Sequence, residues 1–350
     1  MQSSVSKGWL NKNGGFEFTE RYYLDPLFRR KQEDVIKSFI KAYFPVIPVY
    51  YMEDDLMQPQ FMKDNQVLVG GIQPNMLLAA GMGAGFKFFP DMDSDLDGQP
   101  LNGLMDKDEL PDFDTLINHP FFKEIIKQIN YIKTDHPEYN VIPPFFWDTS
   151  GRATIHGIFT TSYKLIGEQA LTMPYLNPEL LHDVHHWIAE TYIRFVRFFN
   201  QFADFKITAV HIGECSGTML EPGLYETFII PYLNKIGNDL APVRLHSCGF
   251  SDHLLDKIAL VKNLAGISTG SGTSVRLIRS LFGKDISVNY LMPVDLFQSS
   301  TRDAEIESWI ENIIEENDCG NLSMSFHIEP DYDIKKCLSI HAILDKLNSE

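Results

Sequence analysis

Cysteine is scarce in this chain: four residues in 350, at positions 215, 248, 319 and 337, with no Cys-x-x-Cys pair among them. So few, in so long a chain, do not make a disulfide framework, and they are expected to be thiols. Long apolar runs are also missing. No stretch reaches the about 18 residues that a membrane span requires, and Met1-Gln2-Ser3-Ser4-Val5-Ser6-Lys7 has no signal-peptide core. The chain therefore reads as cytoplasmic, with no membrane partner. Positive charge is in deficit, with 30 Lys and Arg against 47 Asp and Glu and a formal net charge of −17. With no basic stripe to displace phosphate counterions, nucleic acid is excluded as a partner. No internal repeat and no linker divides the sequence, so one domain is expected.

What is present is a regular alternation. Residues 1–20 are polar and Gly-rich and read as a loose arm, and 22–43 as a helix with Arg29, Arg30, Lys31 and Glu33 on its wet face. Asp93-Ser94-Asp95-Leu96-Asp97-Gly98 resembles a calcium loop, but no Glu stands at its twelfth position, and a solvated turn is the better reading. From residue 141 onward, apolar runs predict strands at 141–146, 154–160, 207–212, 243–246, 265–268, 286–291 and 322–328. Helical patterns lie between most of them. The clearest is 177–202: Asn177 caps, Pro178 takes the first turn, and Leu180, Val184, Trp187, Ile188, Tyr192 and Phe195 form one stripe. Strand–helix alternation means a parallel sheet with crossovers, and this many units predict an α/β fold, a (β/α)8 TIM barrel. The division expected is an N-terminal arm and helix over 1–45 and the barrel over 46–350.

Barrels of this kind place their chemistry on the loops after the strands. That rule selects Glu214 and Cys215 after one strand, His246-Ser247-Cys248 at the tip of the next, His327 at the end of the last, and Trp147-Asp148 after the 141–146 run. Side chains at i and i+2 of a strand point the same way, so His246 and Cys248 can reach one point, and thiolate with imidazole suits zinc. A catalytic zinc takes three protein ligands and keeps one position open. His246, Cys248 and His327 are the expected set, with Glu214 as fourth ligand or acid/base beside the metal.

Each of these residues also has a plainer reading. A His-x-Cys at a strand end often only packs, Glu214 can be a solvated loop carboxylate, and His327 can serve a neighbouring backbone group. Phe145 and Phe146 can belong to the core as readily as to a substrate wall with Trp147. Cys337 shares an apolar helical stripe, Cys319 sits in a turn, and His182, His185 and His186 are expected on a solvated helix face.

Several segments resemble the uroporphyrinogen decarboxylase superfamily, in particular its zinc-dependent, corrinoid-linked methyltransferases. Ile155-His156-Gly157-Ile158-Phe159-Thr160 is similar to the family's Gly-Pro-Phe-Thr segment, and Asn177-Pro178-Glu179 to its Asp-Pro-Glu helix start. Leu220-Glu221-Pro222 with Pro231-Tyr232 resembles its Ser-Pro…Pro-Tyr signature. Leu245-His246-Ser247-Cys248-Gly249 matches its Leu-His-x-Cys-Gly motif, and Val294-Asp295 falls where Asn-Val-Asp-Pro is expected. The likeness covers about residues 140–345.

In those methyltransferases the His-x-Cys pair supplies two zinc ligands, and the third is usually a cysteine after the last strand. His327 takes that place here. The resemblance implies a zinc-dependent methyltransferase that moves a methyl group from a methoxylated compound, aromatic or not, to the Co(I) corrinoid (cobalamin) of a partner protein, with Glu214 and Asp148 as catalytic groups. One thiolate with two imidazoles leaves zinc more electrophilic than two thiolates would, which favours an ether donor over a thiol acceptor. The alternatives are a methyl-corrinoid:thiol (coenzyme M-type) methyltransferase, a metal-free decarboxylase and a non-catalytic tetrapyrrole-binding module. The Arg-rich N-terminal pattern of the decarboxylases is absent, and the chain has no Asp-x-His-x-x-Gly corrinoid motif of its own.

Overall fold

The structure is a computed structural model describing residues 2–51 and 65–347. Its strands are β1 (Gln2–Val5), β2 (Val49–Tyr51), β3 (Gln66–Leu68), β4 (Gly85–Lys87), β5 (Asp95–Asp97), β6 (Asn140–Ile142), β7 (Arg152–His156), β8 (Ala209–Gly213), β9 (Val243–Ser247), β10 (Leu264–Thr269), β11 (Ser287–Leu291) and β12 (Leu322–Ile328). Eight of them form one parallel sheet in the order β2-β1-β12-β11-β10-β9-β8-β7, curled with helices on its outside. This is the (β/α)8 barrel. Among the described residues no ladder joins β2 to β7. Beside the ring lie a parallel pair, β3 with β6, and an antiparallel hairpin, β4 with β5. Among the described residues no helix is long and apolar enough to cross a membrane.

The N-terminal arm is not loose. Ser3, Ser4 and Val5 lie in register with Phe326, His327 and Ile328 of β12 on one side and with Val49, Tyr50 and Tyr51 of β2 on the other. The reading failed because a four-residue strand with two serines shows no apolar period. Helices Lys7–Gly14, Glu20–Leu24 and Pro26–Tyr43 then connect β1 to β2, so residues 1–45 contribute a barrel unit.

The helix Pro178–Asn200 forms as expected, with the Asn177 side chain accepting from the Leu180 N–H and proline in the first turn. Its buried stripe includes Leu180, Val184, Ile188, Tyr192, Phe195 and Phe199. The single helix expected over 225–236 is two, Pro222–Phe228 and Ile230–Asp239. Pro231 has no N–H to donate and its ring crowds the preceding turn, so it serves as the start of a new helix.

The strand expected over 141–146 stops at Ile142, where Pro143 and Pro144 end the pairing. Phe145 then takes φ 68°, the left-handed region. The chain turns back alongside β7: Thr154 N donates to Phe145 O at 2.8 Å, and Phe146 bridges Ala153 antiparallel. This reversal decides where Asp148 goes.

Alternation sorts the barrel strands cleanly. Ala153, Ile155, Val210, Ile212, Val243, Leu245, Val288, Phe326 and Ile328 are buried against the helices. Their neighbours on the other face are Arg152, Thr154 and His156 on β7, His211 and Gly213 on β8, and Arg244 and His246 on β9. Ser268 on β10, Asn289 on β11 and Ser323 and Ser325 on β12 continue the row. Barrel interiors are usually packed with branched aliphatics. This one is polar, and most of its inward residues keep partial exposure where their outward neighbours have none.

Candidate metal centre at the barrel mouth

β8 ends at Gly213, and Glu214 N donates to His246 O at 2.8 Å, stitching the end of β8 to the tip of β9. The short 3-10 turn Cys215–Met219 follows at once and delivers the Cys215 side chain beside β9. On β9, His246 is inward, and Cys248 follows the last strand residue. The close approach is possible because Gly270 faces the Cys248 carbonyl; a Cβ there would lie 2.2 Å from Cys248 O. Ligand atoms of Cys215, His246 and Cys248 all lie within 4.8 Å of one another. Contact with Cys215, then with His246, pulls the Cys248 thiol down to about 4, while the same sulfur contact together with burial pushes Cys215 up.

A hydrogen-bond chain fixes the tautomer of His246. Its Nδ1 lies 2.9 Å from Ser268 Oγ, and Ser268 donates its one hydrogen to Asn289 Oδ1 at 3.3 Å. Asn289 Nδ2 donates to Ser323 Oγ at 3.1 Å, and Ser323 donates in turn to the Val288 carbonyl at 3.3 Å. A carbonyl only accepts, so every hydrogen in the chain is assigned from that end. Ser268 is left as acceptor, and His246 must donate from Nδ1. Its Nε2 is thereby left with a free lone pair, as a metal-binding imidazole requires.

Two soft sulfurs and one nitrogen fit zinc. With Zn–S about 2.3 Å and Zn–N about 2.0 Å, the edges of a tetrahedron run near 3.5–3.8 Å, so ligand atoms already within 4.8 Å need only a small inward movement.

The other expected residues lie elsewhere. His327 is inward on β12, three strands away from β9, and its Nδ1 is 2.7 Å from Ser4 Oγ. It does not join the cluster; Cys215 does.

Glu214 is buried beneath the cluster with its carboxylate turned to the helix Ile158–Ile166. Thr160 N at 2.8 Å and Thr160 Oγ1 at 2.9 Å donate to Oε1, and Phe159 N donates to Oε2 at 3.2 Å. The carboxylate thus caps a helix N-terminus, where its charge meets unpaired N–H groups. Burial nevertheless pushes its pKa up to about 7 against those hydrogen bonds. The fit is tight: a Cβ at Gly157 would lie 2.2 Å from Oε2.

Asp148 is at the opposite end of the barrel. The reversal at Phe145 carries it to the N-terminal end of β7, where its Oδ1 accepts from Ser150 N at 2.8 Å. Phe145 and Phe146 are core: Phe145 stacks on Phe195 at 5.4 Å, and Phe146 meets Phe205 edge-on at 5.2 Å. Trp147 is buried with the Arg29 guanidinium 5.9 Å from its ring. The solvated histidine face is corrected in part, since His185 is fully buried, with Nδ1 donating to Phe228 O at 2.8 Å, while His186 is exposed. Cys337 is buried as expected.

Sequence reasoning missed His156 and His211. The His211 ring centroid lies 5.8 Å from that of His246. Burial first, then Lys164 and His246, lowers His156 to about 4; burial and the neighbouring Arg152, His246, Arg244 and His156 hold His211 neutral. Both stand between apolar neighbours (Ile155 before His156, Val210 and Ile212 around His211), which was the available signal for an inward polar row.

The comparisons with known proteins follow the fold. The solved structure of a methyltransferase from Methanosarcina mazei superposes with a TM-score of 0.61 at 14% identity, covering 99% of this chain and 94% of that one. A B12-independent methionine synthase from Shewanella sp. W3-18-1 in complex with selenomethionine reaches a TM-score of 0.37 at 12% identity over 63% of this chain and 66% of its own. No curated protein matches. The family model described as uroporphyrinogen decarboxylase (URO-D) matches residues 75–320, over two thirds of the sequence and including the motifs around His246. By that match, and with the barrel it implies, the chain belongs to the uroporphyrinogen decarboxylase family.

Proposed function

We propose that this chain is a zinc-dependent methyltransferase exchanging a methyl group between a small substrate and the corrinoid of a partner protein. The observation that carries the reading is the convergence of Cys215, His246 and Cys248 at the C-terminal ends of β8 and β9, where barrel enzymes do their chemistry. The similarity in fold to a methyltransferase adds to it. Cys215, His246 Nε2 and Cys248 would hold zinc and leave its fourth position to the substrate's oxygen or sulfur. Bound there, zinc supplies Lewis acidity to an ether oxygen or lowers the pKa of a thiol.

The ligand set bears on which substrate is used. A methoxylated donor was favoured by a set with one thiolate and two imidazoles. Two thiolates and one imidazole neutralise the charge of Zn2+, which supports a thiolate substrate as the second reading. Glu214, with both carboxylate oxygens held by the helix Ile158–Ile166, anchors the turn that carries Cys215 and leaves the substrate's heteroatom to the metal.

Purified protein is expected to carry about one zinc per chain, lost in Cys215→Ser and His246→Ala and kept in His327→Ala. Metal analysis of the three variants tests this. A metal-free protein whose activity survives chelation would return the chain to decarboxylation. X-ray absorption then separates the donors: an added thiol contributes a third sulfur to the zinc shell if the substrate is a thiol, and a methoxylated compound demethylated by a Co(I) corrinoid protein does not.

A further inference from the structure

The inward wall of β7, β8 and β9 carries six polar side chains below and around the metal centre: Arg152, Thr154, His156, His211, Arg244 and His246. Arg152 is the first residue of β7 and Arg244 the second of β9, so both rise from the barrel floor. His156 and His246 stand near the mouth. β8 contributes only the small residues Ala209 and Gly213 on either side of His211. Gly266 does the same on β10: the Arg244 guanidinium lies across it, with Cζ 3.2 Å from where a Cβ would be, and reaches Ser287 Oγ at 3.5 Å.

Three features make this wall a site for a ligand. Thr154 Oγ1 and His156 Nδ1 are buried without a hydrogen-bond partner, on the same face of β7. An unpaired buried polar atom is costly, so two together on one wall call for a partner that is neither core nor backbone. Second, no carboxylate among the described residues forms an ion pair with Arg152 or Arg244; Asp148 is near enough to be felt by Arg152 but pairs with neither. Third, hydroxyl, imidazole and guanidinium all supply donors, and Glu214, the nearest carboxylate at the mouth, is turned away to its helix.

We propose that this wall binds an oxyanion of the substrate, a carboxylate or a phosphate, between Arg152 and Arg244, with the reacting end of the molecule directed up toward Cys215, His246 and Cys248. The oxyanion site stands on the wall itself; that its ligand is the methyl-transfer substrate rests on the function proposed above. His246 and Arg244 are two residues apart on one strand, a rise of about 7 Å, so the substrate is a small acid, a few bonds long. The polar lining excludes an unsubstituted aromatic ether.

Calorimetry on metal-free protein with acetate and with phosphate is expected to show saturable binding, the tighter of the two naming the oxyanion. Methoxyacetate is expected to bind at least tenfold more tightly than methoxyacetamide, its neutral counterpart, a comparison needing no variant. Arg152→Gln and Arg244→Gln should each weaken methoxyacetate about 10- to 100-fold, the loss of one charge-assisted contact, and Arg244→Lys by less. Absence of binding by either simple anion, equal affinity for acid and amide, or unchanged affinity in folded Gln variants each overturns the proposal. Because these measurements use protein without metal, their failure is distinguishable from failure of the zinc reading, which the metal analysis above decides separately.

Discussion

Single side chains at the mouth owe their chemistry to what holds them. His246 is an unremarkable imidazole until Ser268, Asn289, Ser323 and the Val288 carbonyl fix which nitrogen bears the hydrogen. Ser268→Ala removes the acceptor of Nδ1–H without touching a ligand. Zinc affinity is expected to fall about 10- to 100-fold, the usual cost of losing such a partner. Competition with a chromophoric chelator measures the affinity. Nitrogen-15 NMR of the metal-free protein reads the tautomer directly, and a mixture of Nδ1–H and Nε2–H forms is expected only in the variant. A wild-type protein that already shows the mixture would remove the relay from the account. Cys215 was legible as a thiol able to reach the pocket, but its role was not: the sequence does not display the Glu214–His246 backbone bond that swings the 3-10 turn toward β9.

At the scale of elements, the helix Pro178–Asn200 shows how a polar group can lock packing. His185 lies on its buried face, Nδ1 donating to Phe228 O and Nε2 3.2 Å from Ser162 Oγ, tying three helices together. Burial first, opposed by the Phe228 carbonyl and aided by His182, lowers its pKa to about 3. The unfolded chain takes up this proton near the ordinary value of about 6.5 while the folded protein refuses it, so stability is present above that value and is lost as pH falls from about 6.5 toward 3. Thermal unfolding across this window should show the decline. His185→Gln, with no titrating group, should lose on the order of 2 kcal/mol less between pH 6.5 and 4 than the wild type. Equal pH slopes in the two proteins would place the acid sensitivity elsewhere. The apolar stripe of this helix was readable from its period, whereas His185 was assigned to solvent because it interrupts that stripe with a polar symbol.

For the molecule as a whole, the position of β1 is decisive. It is an interior strand between β2 and β12, and Val5 on it is fully buried. A chain lacking residues 1–6 would expose two ladder edges at once. That loss is comparable with the whole net stability of a domain, about 5–15 kcal/mol. The truncated protein is expected to lose cooperative unfolding by near-ultraviolet circular dichroism and to be recovered in the insoluble fraction. A soluble truncation with an unchanged melting curve would instead restore the loose arm. The net charge of −17 does not compensate for such a break, since it opposes compaction as much as it favours solubility.

The sequence by itself determined the barrel, because strand and helix periods survive wherever one face is buried, and β12 was read to the residue. It also displayed the His246–Cys248 pair, two residues apart at the tip of a strand. The tertiary structure decided the third member. Cys215 and His327 both stand at strand ends of the same barrel, and only the order β8 beside β9, with β12 three strands from β9, brings one of them within reach. It decided Asp148 as well: two prolines and a left-handed Phe145 reverse the chain and send that carboxylate to the floor. It also turned alternating polar letters into a polar barrel interior, because which face of a strand looks inward is fixed only when the sheet curls.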